Sequence, residues 1–224
     1  MKKLEIACLN LESALIAQEN GADRVELCAD IHLGGTTPTT EVVQKAKNNL
    51  SIDICIMIRP KGGDFVYSDL EFQQMKDAVL KIKPIGVDGF VFGILNEDNL
   101  INIKQNVELV NLAYPIPCTF HRALDEVENY KTALEDVITC GFSTILTSGT
   151  FSNVTKGAEV LRNLVLQAVN RITIMPGGGL RSTNISELDK IVKADFYHSS
   201  AITDRTEIAN SEEIMKLKKK LSIY

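Results

Sequence analysis

Eight times along this chain of 224 residues, a short apolar or β-branched run is followed by a turn and then by a longer segment with helical spacing. That repetition constrains the fold most, because strands alternating with helices build a parallel sheet covered by its own crossover helices. The strands read as Lys3 to Cys8, Arg24 to Cys28, Asp53 to Ile58, Val87 to Phe92, Ile116 to Phe120, Thr144 to Leu146, Arg171 to Met175 and Ala194 to His198. Helices begin near Asn10, Thr39, Ser68, Asn99, Asn129, Ser152, Ser182 and Ser211. These residue types carry side-chain oxygens that accept from the free N–H groups of a first turn. Units of about 28 residues suit a closed barrel, which takes roughly 250 residues. The expected fold is therefore α/β, a single (β/α)8 TIM barrel over residues 1–224.

An open Rossmann sheet is the competing architecture. The turn after the first strand reads ACLNLESA and lacks the glycines that let a backbone approach a pyrophosphate, so no nucleotide cofactor is expected. A net charge of −5, spread along the chain, offers no field for a phosphate backbone, which argues against nucleic acid as a partner. Lys216, Lys218, Lys219 and Lys220 have the spacing of the solvated side of a last helix. Glu5 and Glu12 interrupt what would have to be the apolar part of a signal peptide. No apolar run approaches the roughly 20 residues of a membrane span, and the expectation is a cytoplasmic protein without a membrane partner. The five cysteines, at positions 8, 28, 55, 118 and 140, contain no CxxC pair and read as reduced thiols.

In such a barrel, sites are built at the carboxyl ends of the strands. There the chain places Glu26 and Cys28, Arg59, His121 and Arg122, Thr147 and Ser148, Gly177 to Gly179, and His198, Ser199 and Ser200. One reading is a rim of caps and ion pairs; the other is a site. Arg59 ends an apolar strand and needs a partner, either Glu26 or Glu5 on neighbouring strands or an anionic ligand. If Arg59 and Glu26 point inward, alternation brings Met57, Cys55 and Cys28 with them. The PGGGL loop and the HSSA segment fall where barrels hold phosphate. Arg122, Ser148, Gly177, Gly178, Gly179, His198 and Ser199 are accordingly the anion-binding candidates, and Glu26, Arg59 and His121 the catalytic ones. Together they suggest a lyase or isomerase acting on a small anionic or phosphorylated metabolite, with His121 moving a proton and Glu26 orienting it or acting as base.

The segments NGADRVELC, GGTTP, MIRPKGGDFVYSD, GVDGFVFGIL, TFHRALD, ILTSG, IMPGGGL and HSSA resemble the CutC family across nearly the whole chain. The resemblance implies a (β/α)8 barrel, a cytoplasmic location and an association with copper homeostasis, which becomes the leading functional reading beside the enzyme. It also implies a Cu(I) site of two thiols, one ending the first strand and one in the ELC motif, here Cys28. Ala7 stands where the first thiol is expected, and Cys8 follows one position later. Because strand side chains alternate, that displacement turns the sulfur to the opposite face, so a Cys8–Cys28 metal pair requires a bulge or an irregular strand end. Lys61 and Leu124 replace an arginine and a phenylalanine of the family pattern. A third reading is a catalytically silent barrel acting through self-association as a homo-oligomer.

Overall fold

The apolar runs form eight parallel strands in chain order, and the computed structural model describes residues 2–222. The strands are β1 (Lys3–Cys8), β2 (Arg24–Leu27), β3 (Asp53–Met57), β4 (Gly89–Phe92), β5 (Cys118–Phe120), β6 (Thr144–Thr147), β7 (Thr173–Pro176) and β8 (Phe196–Ser199). Helices α1 (Leu11–Glu19), α2 (Thr40–Asn49), α3 (Asp69–Ile82), α4 (Ile103–Ala113), α5 (Tyr130–Thr139), α6 (Ala158–Ala168), α7 (Ile185–Val192) and α8 (Ser211–Leu221) alternate with them. Strand order is β7-β6-β5-β4-β3-β2-β1-β8, and β7 and β8 adjoin across the remaining seam, so the sheet curls into a nearly closed (β/α)8 barrel. Pro176 at the end of β7 has no N–H to give a ladder. Side chains bridge the loops above the seam instead, where the Ser199 hydroxyl donates to Leu180 O at 2.9 Å and Arg181 reaches Ile202 O at 3.0 Å.

Expected and observed elements differ mainly at their ends. Asn10, Thr39, Ser68 and Asn129 cap α1, α2, α3 and α5, and Ser68 with Glu71 closes a reciprocal capping box. Three helices start later than expected. Asn99 is held in a left-handed turn whose N–H groups bond to Asn96, and α4 is capped by Asn102. Ser152 lies in a loop tied to the β7 turn by Val154 N–H to Gly178 O, and α6 starts only after Gly157. Ser182 gives its N–H and hydroxyl to Glu213 of α8, which delays α7 to Ile185. Of the α8 lysines, Lys216 and Lys219 are exposed as expected and Lys216 pairs with Glu212 along the helix, whereas half-buried Lys218 and Lys220 reach Asp23 and Ser182 O.

The core has two parts. Leu4, Ile6 and Cys8 of β1, with their counterparts on other strands, pack outward against the helices in one large cluster. Cys28, Cys55, Met57 and Val91 form a second cluster inside the barrel, with Leu9 against it. Inward residues of β2 and β3 thus follow the alternation read from Glu26 and Arg59. Among the described residues no helix is long and apolar enough to cross a membrane.

Candidate functional site

The parallel registers stack charged side chains inside the barrel. Glu5 of β1 is the register partner of Arg24 on β2 and of His198 on β8, so three adjacent strands point an acid, a guanidinium and an imidazole inward at one level. Arg24 Nε lies 2.5 Å from Glu5 Oε2, and His198 Nδ1 lies 2.7 Å from Glu5 Oε1. Next along the strands, Glu26 is the partner of Ala7 and of Cys55. Glu26 Oε2 accepts from the Cys28 thiol at 3.4 Å and lies 3.9 Å from His198 Nε2, beyond hydrogen-bond range. Glu26 Oε1 is buried without a partner.

These contacts split the charges unequally. Burial alone raises the Glu5 carboxyl, but the charges and hydrogen bonds of Arg24 and His198 outweigh it and hold Glu5 below the ordinary carboxylate value. Burial lowers His198, and its bonds to Glu5 and its proximity to Glu26 prevail, so the imidazole is held above its ordinary value. Glu26 is raised, chiefly by burial, with His198 opposing. Glu5, Glu26 and His198 are close enough to share an ion, with ligand atoms within 4.8 Å of one another. Arg24 and His198, both held toward their protonated forms, oppose the two carboxylates.

A cavity of about 280 Å³ at the carboxyl ends of the strands brings together Glu26, Cys28, Arg59, His121, Arg122 and His198, with Ala7, Met57 and Phe65 in its wall. Arg59 is buried, but neither Glu26 nor Glu5 is its partner. Its guanidinium donates to Leu33 O at 2.8 Å, Gly35 O at 3.1 Å and Gly63 O at 2.7 Å, and it stands over the Phe65 ring at 4.8 Å. Carbonyl dipoles solvate the charge without neutralising it, so Arg59 keeps its wall of the cavity cationic. His121 has no carboxylate hydrogen-bonded to it; Arg59 is the strongest charge acting on it. The histidine seated between carboxylates is His198.

The anion-binding candidates divide. Arg122 donates to Asp125 at 2.7 Å and to Ser148 at 3.2 Å. Asp125 also accepts from the Thr147 hydroxyl and from the Ser148 and Thr150 N–H groups. Ser148 and Ser199 are thereby engaged within the rim, and Gly177 continues the ladder to Thr147 O. Gly178 is left-handed at φ 105, where an added Cβ would lie 3.1 Å from both Arg122 Cζ and Ser148 Cβ. Gly179 is left-handed as well, and its carbonyl accepts from Asn184. Of the two thiols, Cys28 lines the cavity; Cys8 donates to Ile6 O and packs in the strand–helix core, while Ala7 faces the mouth. The two-thiol set therefore does not converge on the cavity. Sequence reasoning missed Arg24 and Asp125 and considered Glu5 only as a partner of Arg59. Parity could have found Arg24, which lies two residues before Glu26 on the same strand face.

Fold and site define this chain as a (β/α)8 barrel with a small, largely apolar pocket at its C-terminal mouth into which a few charged side chains are set. The pattern of the CutC family matches residues 2–203, and the chain belongs to that family. The human copper homeostasis protein cutC homolog is 42% identical over 202 residues, covering 90% of this chain and 74% of that protein. The family protein CutC of Chromobacterium violaceum is 42% identical over 200 residues, covering 89% of this chain and 81% of its own. Among solved structures, CutC of Streptococcus agalactiae superposes with a TM-score of 0.85 at 31% identity, over 89% of this chain and 99% of that one. Phosphoribosylanthranilate isomerase of Thermotoga maritima, at 16% identity and a TM-score of 0.65 over 100% of both chains, shares the barrel fold.

Proposed function

We propose that this CutC-family chain is a proton-transfer enzyme, an isomerase or lyase, acting in the cytoplasm on a small anionic metabolite held at the barrel mouth. One observation carries the reading: the buried, unpartnered Glu26 Oε1 lies in a pocket that also holds the cation of Arg59. An orphaned carboxylate oxygen costs stability unless a ligand completes it. Burial also raises Glu26 above the ordinary carboxylate value, which makes it a stronger proton acceptor than an exposed carboxylate. Arg59, which no carboxylate neutralises, supplies the opposing positive charge for an anionic substrate group. A volume of about 280 Å³ suits a metabolite smaller than the drug-sized ligands of typical pockets, roughly 300–1,000 Å³.

The test is a thermal-shift screen of small phosphorylated sugars and carboxylates, followed by solvent-deuterium exchange into any stabilising compound. Exchange is expected to fall by about 10²–10⁴ in Glu26→Gln with binding retained. A screen without stabilising ligands, or a Glu26→Gln variant that exchanges as fast as the parent, overturns the assignment.

A second reading follows the relatives named for copper homeostasis and rests on two soft sulfur donors, Cys28 and Met57, both lining the cavity. In this reading Cu(I) displaces the Cys28 proton, which burial and Glu26 hold well above the ordinary thiol value. An anaerobic Cu(I) titration against a competing chelator is then expected to show one equivalent bound by the parent and by Cys8→Ala, and none by Cys28→Ala. Undiminished binding in Cys28→Ala, or equal loss in Cys8→Ala, removes this ligand set.

A further inference from the structure

His121 follows β5 and opens the short helical turn Arg122–Glu126, so it is a strand-end residue and an N-cap at once. Its Nδ1 accepts the Ala123 N–H at 3.3 Å. A ring nitrogen that accepts a backbone N–H carries no proton, which puts the proton of a neutral imidazole on Nε2. Nε2 is buried and has no partner. The ring is also locked in place. Phe65 lies tilted against it at 4.7 Å between centroids and Phe120 meets it edge-on at 6.2 Å. Behind it, Gly93 leaves so little room that an added Cβ would lie 2.7 Å from Nδ1. Burial, with Arg59 and Arg122 pushing the same way, lowers the ring to about 3. Glu26 and His198 belong to other walls of the same cavity, and neither is hydrogen-bonded to it.

We propose that His121 is a neutral, fixed-tautomer hydrogen-bond donor for a substrate oxygen, and that the mouth accordingly takes a carbonyl compound with an acidic α C–H and a remote anionic group. This deepens the proton-transfer reading and rests on it, replacing the expectation that His121 itself moves a proton. Glu26 Oε1 takes the α-proton, the C–H pair becomes the enolate double bond, and the carbonyl π pair moves onto oxygen. The Nε2–H bond strengthens as that oxygen gains charge, without giving up its proton. On an α-hydroxy carbonyl compound, an isomerase then passes the α-hydroxyl proton to the enolate oxygen, forms the new carbonyl at the α-carbon and returns the Glu26 proton to the former carbonyl carbon. A lyase re-forms the carbonyl, turns the enolate double bond into a Cα–Cβ double bond and expels a β-substituent with its bonding pair.

The measurement is ¹H–¹⁵N NMR of the imidazole side chains in the full-length protein, with His121 assigned by its loss in His121→Gln. From about pH 5 to about pH 9 the His121 ring is expected to stay neutral with its proton on Nε2. The probe is phosphoglycolohydroxamate, an enediolate mimic carrying a phosphate, with inorganic phosphate as control. The mimic should shift Nε2–H where phosphate alone does not, and bind at least about tenfold more weakly to His121→Leu than to His121→Gln, whose amide keeps a donor. A proton on Nδ1, or a ring that titrates within that range, overturns the proposal, as does a correct tautomer indifferent to the mimic. The tautomer is read without turnover, so a wrong assignment of Glu26 leaves that result standing.

Discussion

Replacing Glu5 by Leu is expected to destabilise the protein by about 3–5 kcal/mol and to lower Tm on the order of 10 °C, the largest effect of any single change at the mouth. Glu5 is fully buried between Arg24 and His198, and its removal leaves two cations inside the barrel with only Glu26 to oppose them. Adding Arg24→Leu should recover part of the loss, because the second substitution removes a charge that the first stranded. Urea unfolding of both variants checks this. A single variant within about 1 kcal/mol of the parent would mean that Glu5 holds nothing together.

The same cluster makes stability depend on pH in a defined direction. Glu5 sits below its ordinary value of 4.5 when folded, so its contribution is full above that value and is lost as pH falls through the folded one. His198 sits above its ordinary value of 6.5, so its contribution is full below 6.5 and is lost as pH rises through the folded value. Glu26, raised, binds its proton more tightly in the folded state and acts in the same sense as His198. The Glu5 and His198 contributions are therefore both full between their two ordinary values, and the stability gap between the parent and His198→Asn should narrow as pH rises above 6.5.

The second large effect concerns Arg59. Arg59→Leu should cost about 3 kcal/mol, since hydrogen bonds to a charged group contribute roughly 1.5–3 kcal/mol each and three carbonyls, that of Gly35 buried and the other two partly so, lose their donor at once. Those carbonyls belong to Leu33, Gly35 and Gly63, so one side chain pins the loop after β2 to the loop after β3. Thr37 joins the same clasp, giving its N–H to Arg59 O and accepting the Arg59 N–H at its hydroxyl oxygen. Hydrogen exchange should quicken selectively at Leu33, Gly34 and Gly35, whose N–H groups close the adjoining turn. Arg59→Lys should rescue little, because a compact ammonium on a flexible stem does not present the rigid fork that these carbonyls meet. Unchanged protection of that loop in Arg59→Leu would show that the turn stands without the clasp.

Much of this molecule was legible before folding. Eight strand–helix units fix the barrel because each amphipathic helix has only the sheet to cover. Period-2 alternation placed Met57, Cys55 and Cys28 inside with Arg59 and Glu26, and turned Cys8 outward at a regular strand end. Capping chemistry located α1, α2, α3 and α5, because those caps depend only on residues three or four apart. It failed at α4, where a local turn closed on Asn96 holds Asn99, and at α6 and α7, where contacts from distant segments tie down the preceding loop, as Glu213 claims Ser182.

Tertiary structure alone decided the partners. Alternation says that Glu5, Arg24 and His198 point inward, but only the inter-strand register sets them at one level, with Glu5 and His198 193 positions apart in the chain. The expected partner of the Arg59 guanidinium was Glu26, Glu5 or an anionic ligand; within the chain it meets three carbonyls instead of a carboxylate, because the loops after β2 and β3 bring them nearer. The state of His121 likewise follows from its surroundings: a backbone N–H on Nδ1, a glycine behind the ring and a buried cation beside it. Local pattern determines which face a side chain takes; which charges meet on that face depends on distances between segments far apart in the chain, and those exist only once the barrel has closed.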